Sequence, residues 1–286
     1  MRCGWHPARP RGGLQGVPEL PEVEFYRRAA ACVVGRTIQR VSAPDDWWAR
    51  GAGGSSAVRR NLRGRSVLGA RRHGKLLLLE LSSTPDGLDE GLVLGMRFGM
   101  TGLLEVDGAR PIGELLYSSP RRERSWQRLR LAFEQGELLV VDPRRLGGVE
   151  FDPDPSRLGP DATDLSTDAL RTALAGAGTP VKACLLDQRR IAGIGNLLAD
   201  EALWRAGVSP AELGGSLDAA ALRRLARAVR SSIGDALVRG GSHTGDLMSA
   251  RRPGGTCPRD GAPLVRSTIA GRTSWWCPQH QRAGAA

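Results

Sequence analysis

The apolar pattern changes character at Pro153-Asp154-Pro155, which limits the chain to at least two kinds of folded unit. Before that point come short apolar runs: Val67-Leu68, Leu76 to Leu81, Leu92 to Leu94, Leu103 to Val106, Leu129 to Phe133 and Leu138 to Val141. Turn formers such as Pro85-Asp86-Gly87 and Glu134-Gln135-Gly136 separate them, so the runs read as strands of an antiparallel β-sandwich or barrel-like domain. A helix precedes them, because Val23, Tyr26, Ala30 and Val33 fall on helical spacing and Gly35 supplies a stop. Gly51 to Ser56 reads as a flexible surface loop. Beyond the boundary the texture is helical. Asp164-Leu165-Ser166 can open a helix to about Leu174, Pro180 another through Gln188, and further helices cover Asn196 to Ala206 and Leu217 to Val238.

At 286 residues the chain has room for two or three cores. It holds no apolar run long enough to cross a bilayer, and its first seventeen residues lack the apolar segment of a secretory signal. A soluble intracellular protein is expected. Five cysteines in 286 residues do not make a disulfide framework. The 41 basic against 30 acidic residues leave a formal charge of +11, which suggests a polyanionic partner, nucleic acid first. A GC-rich genome explains part of the arginine excess. Every basic side chain is Arg except Lys75 and Lys182; a lysine kept under such pressure suggests a place that needs a compact ammonium.

Two motifs carry chemistry. The tail places Cys257-x-x-Asp260 sixteen residues ahead of Cys277-x-x-His280. That is zinc-ribbon spacing with Asp and His in place of two cysteines, so one structural zinc is expected. The alternative is a metal-free finger held by Trp275 and Trp276. Upstream, Ile191-Ala-Gly-Ile-Gly-Asn196 lies between two expected helices. Its glycines permit a tight backbone, and the amides opening the next helix read as a phosphate cradle to which Asn196 adds a donor.

Taken together, Pro18 to Glu24, Arg71-Arg-His-Gly-Lys75, Gly99-Met-Thr-Gly102, Asp142-Pro-Arg-Arg-Leu-Gly147, the Lys182 to Glu201 segment and the tail with Arg272 resemble the formamidopyrimidine-DNA glycosylase/endonuclease VIII family. Pro-Glu-Leu-Pro-Glu-Val-Glu places the resemblance nearer the formamidopyrimidine branch. It implies an α+β multi-domain fold: an N-terminal helix plus antiparallel β-sandwich, a helix-two-turn-helix α domain, and a C-terminal β-hairpin zinc finger. The corresponding bounds are 18–155 for the catalytic domain, 156–242 for the DNA-binding helices and 253–286 for the finger. Residues 1–17 are expected to be a non-native or disordered extension. Val17 is a residue that a GUG start codon would encode, so Pro18 is expected to become the N-terminus.

The same resemblance implies a bifunctional glycosylase and abasic-site lyase of base excision repair, acting as a monomer on double-stranded DNA with oxidised bases or abasic sites. A bacterial cytoplasm, near the nucleoid, is its expected setting. Pro18 would attack the sugar through a free secondary amine, and Glu19 would shuttle protons. Lys75 would set an ammonium near the damaged base, and Arg272 would grip the flanking phosphates. Lys182 and Asn196 would hold backbone phosphates. Met100, Arg144 and Leu146 occupy the wedge positions that fill the gap left by a flipped base, with Arg145 beside them. Leu146 stands where this branch usually has Phe, and Ser242 to Thr256 is short for the segment that carries a lid over 8-oxoguanine. Ring-opened purines and oxidised pyrimidines therefore stand beside 8-oxoguanine as candidate lesions. If Pro18 is not N-terminal, the alternative is a DNA-binding homologue without activity; a lyase of abasic sites alone is the third reading.

Overall fold

The computed structural model describes residues 17–84, 87, 90–112 and 123–281. The extension at 1–16, Pro85-Asp86 of the expected turn and the last five residues of the expected finger lie outside the described residues. The chain divides into two compact units, one of the residues up to Pro18 together with Glu22–Pro155, and one from Ser156 onward that also takes in Glu19–Pro21.

Helix α1 (Leu20–Ala30), which belongs to the first unit from Glu22 on, tightens into a 3-10 turn at Ala31–Val33 before Gly35. Strand β1 (Arg40–Ser42) and helix α2 (Ser55–Leu62) follow. Then come β2 (Val67–His73), β3 (Leu76–Leu81), β4 (Leu92–Arg97), β5 (Leu103–Val106), β6 (Gln127–Ala132), β7 (Glu137–Val141) and β8 (Gly148–Phe151). They pair antiparallel in two four-stranded sheets, ordered β1-β6-β7-β5 and β2-β3-β4-β8. Strand β3 is buried along nearly its whole length; each buried leucine there contributes about 1.5–3 kcal/mol. Tyr26 of α1 stacks on Phe98 with ring centroids 4.5 Å apart and donates its hydroxyl to the Gly102 carbonyl at 3.0 Å. The helix is thereby fixed to the turn at 99–102.

The segment expected as a loop at Gly51 to Ser56 is instead structured. A 3-10 turn at Arg50–Ala52 leads into α2, whose Ser55, Val58 and Leu62 are buried. Only two large apolar positions mark this helix among Ser, Arg and Asn, too few to show a stripe.

The second unit holds α3 (Thr167–Leu174), α4 (Val181–Leu186), α5 (Asn196–Ala206), α6 (Ala219–Arg239) and the hairpin β9 (Val265–Ile269) with β10 (Arg272–Trp276). Helix starts are chemically marked. The Ser166 hydroxyl accepts from the Ala169 N–H at 3.0 Å, and the Asp218 carboxylate from the Ala221 N–H at 2.6 Å, as N-caps do. Leu20 joins Leu165, Leu185, Ile194, Leu203, Leu225 and Val229 in its core. The helices and the cysteine-bearing tail, expected as separate segments, share this one unit. No described helix is long and apolar enough to cross a membrane.

Candidate active site and nucleic-acid interface

Glu19 lies at the centre of the second unit's chemistry. Its buried carboxylate accepts from the backbone N–H groups of Gly195 at 3.1 Å, Leu197 at 2.8 Å and Leu198 at 3.1 Å. Those are the amides that open α5, where the helix dipole favours an anion. The cradle expected for a phosphate is therefore filled by a side chain of the protein itself. A Cβ on residue 195 would sit 2.2 Å from the Glu19 carboxyl carbon, so glycine there is a condition for this approach. Gln188 sets the turn, accepting from the Gly193 N–H at 2.9 Å while donating to the Leu186 and Ile194 carbonyls, each at 3.0 Å. Pro18, the residue before Glu19, is buried.

Lys182 departs most from expectation. Its side chain is wholly buried, and the ammonium donates to Asp200 Oδ1 at 2.6 Å, Ser274 Oγ at 2.6 Å and the Thr273 carbonyl at 3.0 Å. An ammonium has three hydrogens, and all three are committed, so the expected phosphate contact is corrected to an internal one. Burial pushes this amine's pKa below its ordinary value, against the pull of Asp200. Asn196 points the same way: its Nδ2 donates to the same Thr273 carbonyl at 3.1 Å, and its buried Oδ1 has no partner among the described residues. Both side chains grip the backbone next to Arg272. Arg272 itself begins β10 at the hairpin tip, is exposed, and makes no ion pair among the described residues. Asp200, which the sequence marked only as a flank, is the hub. It also accepts from Arg251 Nη2 at 2.8 Å and from the Trp275 N–H at 3.1 Å.

In the first unit another buried carboxylate, Asp142, arranges the expected wedge. It accepts from the Thr101 hydroxyl at 2.7 Å, the Gly147 N–H at 2.7 Å and the Trp48 indole N–H at 3.2 Å. Met100, half-buried, and Leu146, 49% exposed, are thus carried on two turns tied to one anion. Gly99, at φ +56°, lets those turns touch; a Cβ there would lie 2.5 Å from the Leu146 backbone. Arg144 is exposed. Arg145, at φ +58°, pairs with Asp45 at 2.6 Å, and Asp45 also meets Arg128 at 3.1 Å. Burial pushes the Asp45 carboxyl up, but the Arg145 and Trp48 N–H bonds and the two guanidinium charges outweigh it and leave it below its ordinary value. Lys75 occupies the two-residue turn between β2 and β3, half-buried, with His73 opposite Leu76. Asp142 and Trp48 escaped the sequence reading as functional residues, although Asp142 opened a motif it had singled out.

The tail brings Cys257, Asp260, Cys277 and His280 together, with one donor atom of each within 4.8 Å of the others. Cys257 Sγ lies 3.5 Å from His280 Nδ1, and Asp260 Oδ2 lies 3.2 Å from both Cys277 Sγ and His280 Nδ1. A tetrahedral zinc at ~2.3 Å from sulfur and ~2.0 Å from nitrogen or oxygen sets ligand separations from ~3.3 Å between two N or O donors to ~3.8 Å between two sulfurs, and the donor contacts above fit one such ion. His280 Nε2 bonds the Trp204 carbonyl at 3.0 Å, the second contact that leaves Nδ1 free to ligate. The Ala262 N–H first of all holds the Asp260 carboxyl well below the usual range, keeping it anionic.

Residues 17–149 match the profile of the formamidopyrimidine-DNA glycosylase N-terminal domain, and residues 158–247 that of the same family's H2TH domain. The chain belongs to the formamidopyrimidine-DNA glycosylase family. Among curated members, a formamidopyrimidine-DNA glycosylase of Ruegeria pomeroyi is 32% identical and one of Cereibacter sphaeroides 34% identical, each alignment covering 93% of this chain and all of the relative. Among solved structures, Lactococcus lactis Fpg in complex with DNA containing N7-benzyl-Fapy-dG superposes with a TM-score of 0.77 at 25% identity. The same enzyme bound to DNA containing an oxidised pyrimidine gives a TM-score of 0.76 at 26% identity. Both cover 93% of this chain and the whole of the other. The architecture expected of this family, helices with antiparallel sheets and a C-terminal hairpin, is the one found.

Proposed function

We propose that this family member is a bifunctional DNA glycosylase and abasic-site lyase of base excision repair, with Pro18 as nucleophile. The observation that carries the reading is Glu19, an anion fixed by three helix-start amides and covalently next to Pro18. An amide nitrogen cannot attack, because resonance occupies its lone pair; the reading therefore requires Pro18 to be N-terminal. The family match begins at residue 17, in keeping with that requirement. A free α-amine has a pKa near ~8, below that of lysine at ~10.4, so more of it is neutral at physiological pH.

The neutral secondary amine attacks the sugar C1′, the C1′–base bond breaks, and the departing base takes up a proton. The amine loses its own proton and, once the sugar ring opens, is held as a cationic iminium. The iminium acidifies the C2′ hydrogen; its loss drives elimination of the 3′ phosphate, and a second elimination releases the 5′ phosphate. Glu19 is the proton carrier in these steps. Arg272 steadies the phosphates being released, and Lys75 sets its ammonium by the lesion. Lys182 and Asn196 act one step back, by holding the strand on which Arg272 sits. Met100, Arg144 and Leu146 fill the gap when the lesion is flipped. Ring-opened purines, oxidised pyrimidines and 8-oxoguanine are the proposed lesions. The metal of the tail is proposed to be one structural zinc held by Cys257, Asp260, Cys277 and His280; when bound it supplies rigidity to the hairpin and no step of the reaction.

Borohydride trapping tests this on duplexes carrying 8-oxoguanine, a formamidopyrimidine, 5-hydroxyuracil or an abasic site, with intact mass fixing the N-terminus of the native protein. Covalent adducts on base lesions, weakened in Pro18→Gly far more than DNA binding is, are expected. No adduct with any of the four, or a native chain that retains residues ahead of Pro18, would overturn the proposal.

A further inference from the structure

Trp47 is 58% exposed, although indole is among the side chains with most apolar area to hide. One face is covered: the Arg50 guanidinium lies 4.2 Å from the ring centroid and is held there by a bond from Nη1 to the Trp47 carbonyl at 2.8 Å. Arg50 has no carboxylate partner among the described residues. The next residue, Trp48, is buried and bonds Asp142, the carboxylate that also fixes the Thr101 and Gly147 turns. Asp45, two residues before Trp47, pairs with Arg145. The segment 45–50 is therefore fastened at two points to the loop that presents Leu146. Arg50, Leu146 and the Arg97–Glu150 ion pair line one cleft of about 220 Å³.

An exposed indole backed by a guanidinium that itself shares a cleft with the exposed Leu146 side chain has the composition of a single-strand base platform. Leu146 can part a base step but has no π-face to offer the base left behind. We propose that Trp47 and Arg50 form a stacking platform for DNA next to the Leu146 turn, the open indole face meeting a nucleobase that has lost its stacking neighbour and Arg50 contributing positive charge toward the phosphates. The inference rests on the DNA-repair reading above and adds to it a contact outside the expected wedge.

The test uses the full chain and a duplex with a tetrahydrofuran abasic analogue opposite 2-aminopurine, alongside borohydride trapping on a true abasic site. Trp47→Ala should weaken binding roughly 5- to 150-fold, the range for loss of one base–aromatic stack, and should change the 2-aminopurine fluorescence of the complex. Trp47→Phe should retain most of both. Arg50→Ala should lower the salt slope of binding by about one charge. Trapping at saturating protein should persist in all three variants. Wild-type trapping together with Trp47→Ala binding and fluorescence equal to wild type would overturn this inference alone; a wild-type chain that neither traps nor binds would overturn it along with the function on which it rests.

Discussion

Lys182 and Asp200 form an ion pair of 2.6 Å from which water is wholly excluded. Removing one partner of such a pair strands the other charge in a low-dielectric site, which costs about 3–5 kcal/mol. Lys182→Met should lower thermal stability accordingly, and Lys182→Met with Asp200→Asn should lose less than the sum of the single losses. The salt slope of DNA binding should not change in Lys182→Met, because the ammonium meets no phosphate. A slope reduced by about one charge would return Lys182 to the DNA.

Glu19 has two jobs in the proposed scheme, and one substitution separates them. Glu19→Gln keeps a carbonyl acceptor for the α5 amides but loses the charge that the helix start favours, an effect of about 0.3–2 kcal/mol. Loss of a general acid and base lowers rate by roughly 10²- to 10⁴-fold. Single-turnover base removal should therefore collapse while the melting temperature moves only modestly. Excision reduced merely a few-fold would leave Glu19 as a helix cap.

These two residues also show what the sequence could and could not disclose. Strands of the first unit were legible because apolar runs such as Leu76 to Leu81 sit between turn formers, and the α5 start because Gly195-Asn196 follows a breaker. Helix α2 was not, since Val58 and Leu62 alone carry its apolar face. At the site, sequence marked the places that attract negative charge: a rare lysine and a glycine-rich helix start. It did not show which anion arrives. In the fold the anions are Asp200 and Glu19, the latter some 176 residues from its Gly195 amide, where a phosphate had been expected for both. The four candidate metal donors were readable because each pair is local, with two intervening residues.

The Asp45–Arg145 pair gives a pH signature in the loop at residues 144–147. The folded Asp45 carboxyl titrates below its ordinary value, so between that lower value and the unfolded one near ~3.9 the folded state binds fewer protons. Its contribution is complete above the unfolded value and is lost as pH falls through the folded one. The stability difference between wild type and Asp45→Asn, from urea midpoints, should thus be constant from about pH 7 to 5 and shrink below about pH 4. A difference that widens on acidification would contradict the assignment of Arg145 to Asp45.

Metal content decides the tail. Elemental analysis of native protein should return about one zinc per chain, and His280→Ala should abolish it. Chelation should then loosen the hairpin, because Trp204 touches the site twice, through its carbonyl to His280 and its indole N–H to Cys257 Sγ at 3.3 Å. Tryptophan fluorescence and hydrogen exchange at Val265–Trp276 read that loosening without recourse to activity. Asp260 is the discriminating candidate. Oxygen completes the tetrahedron only if its carboxylate stays ionised, and the Ala262 N–H holds it so. Asp260→Ala should weaken zinc retention against a chelator by at least tenfold. Unchanged retention would mean that water, not Asp260, supplies the fourth ligand.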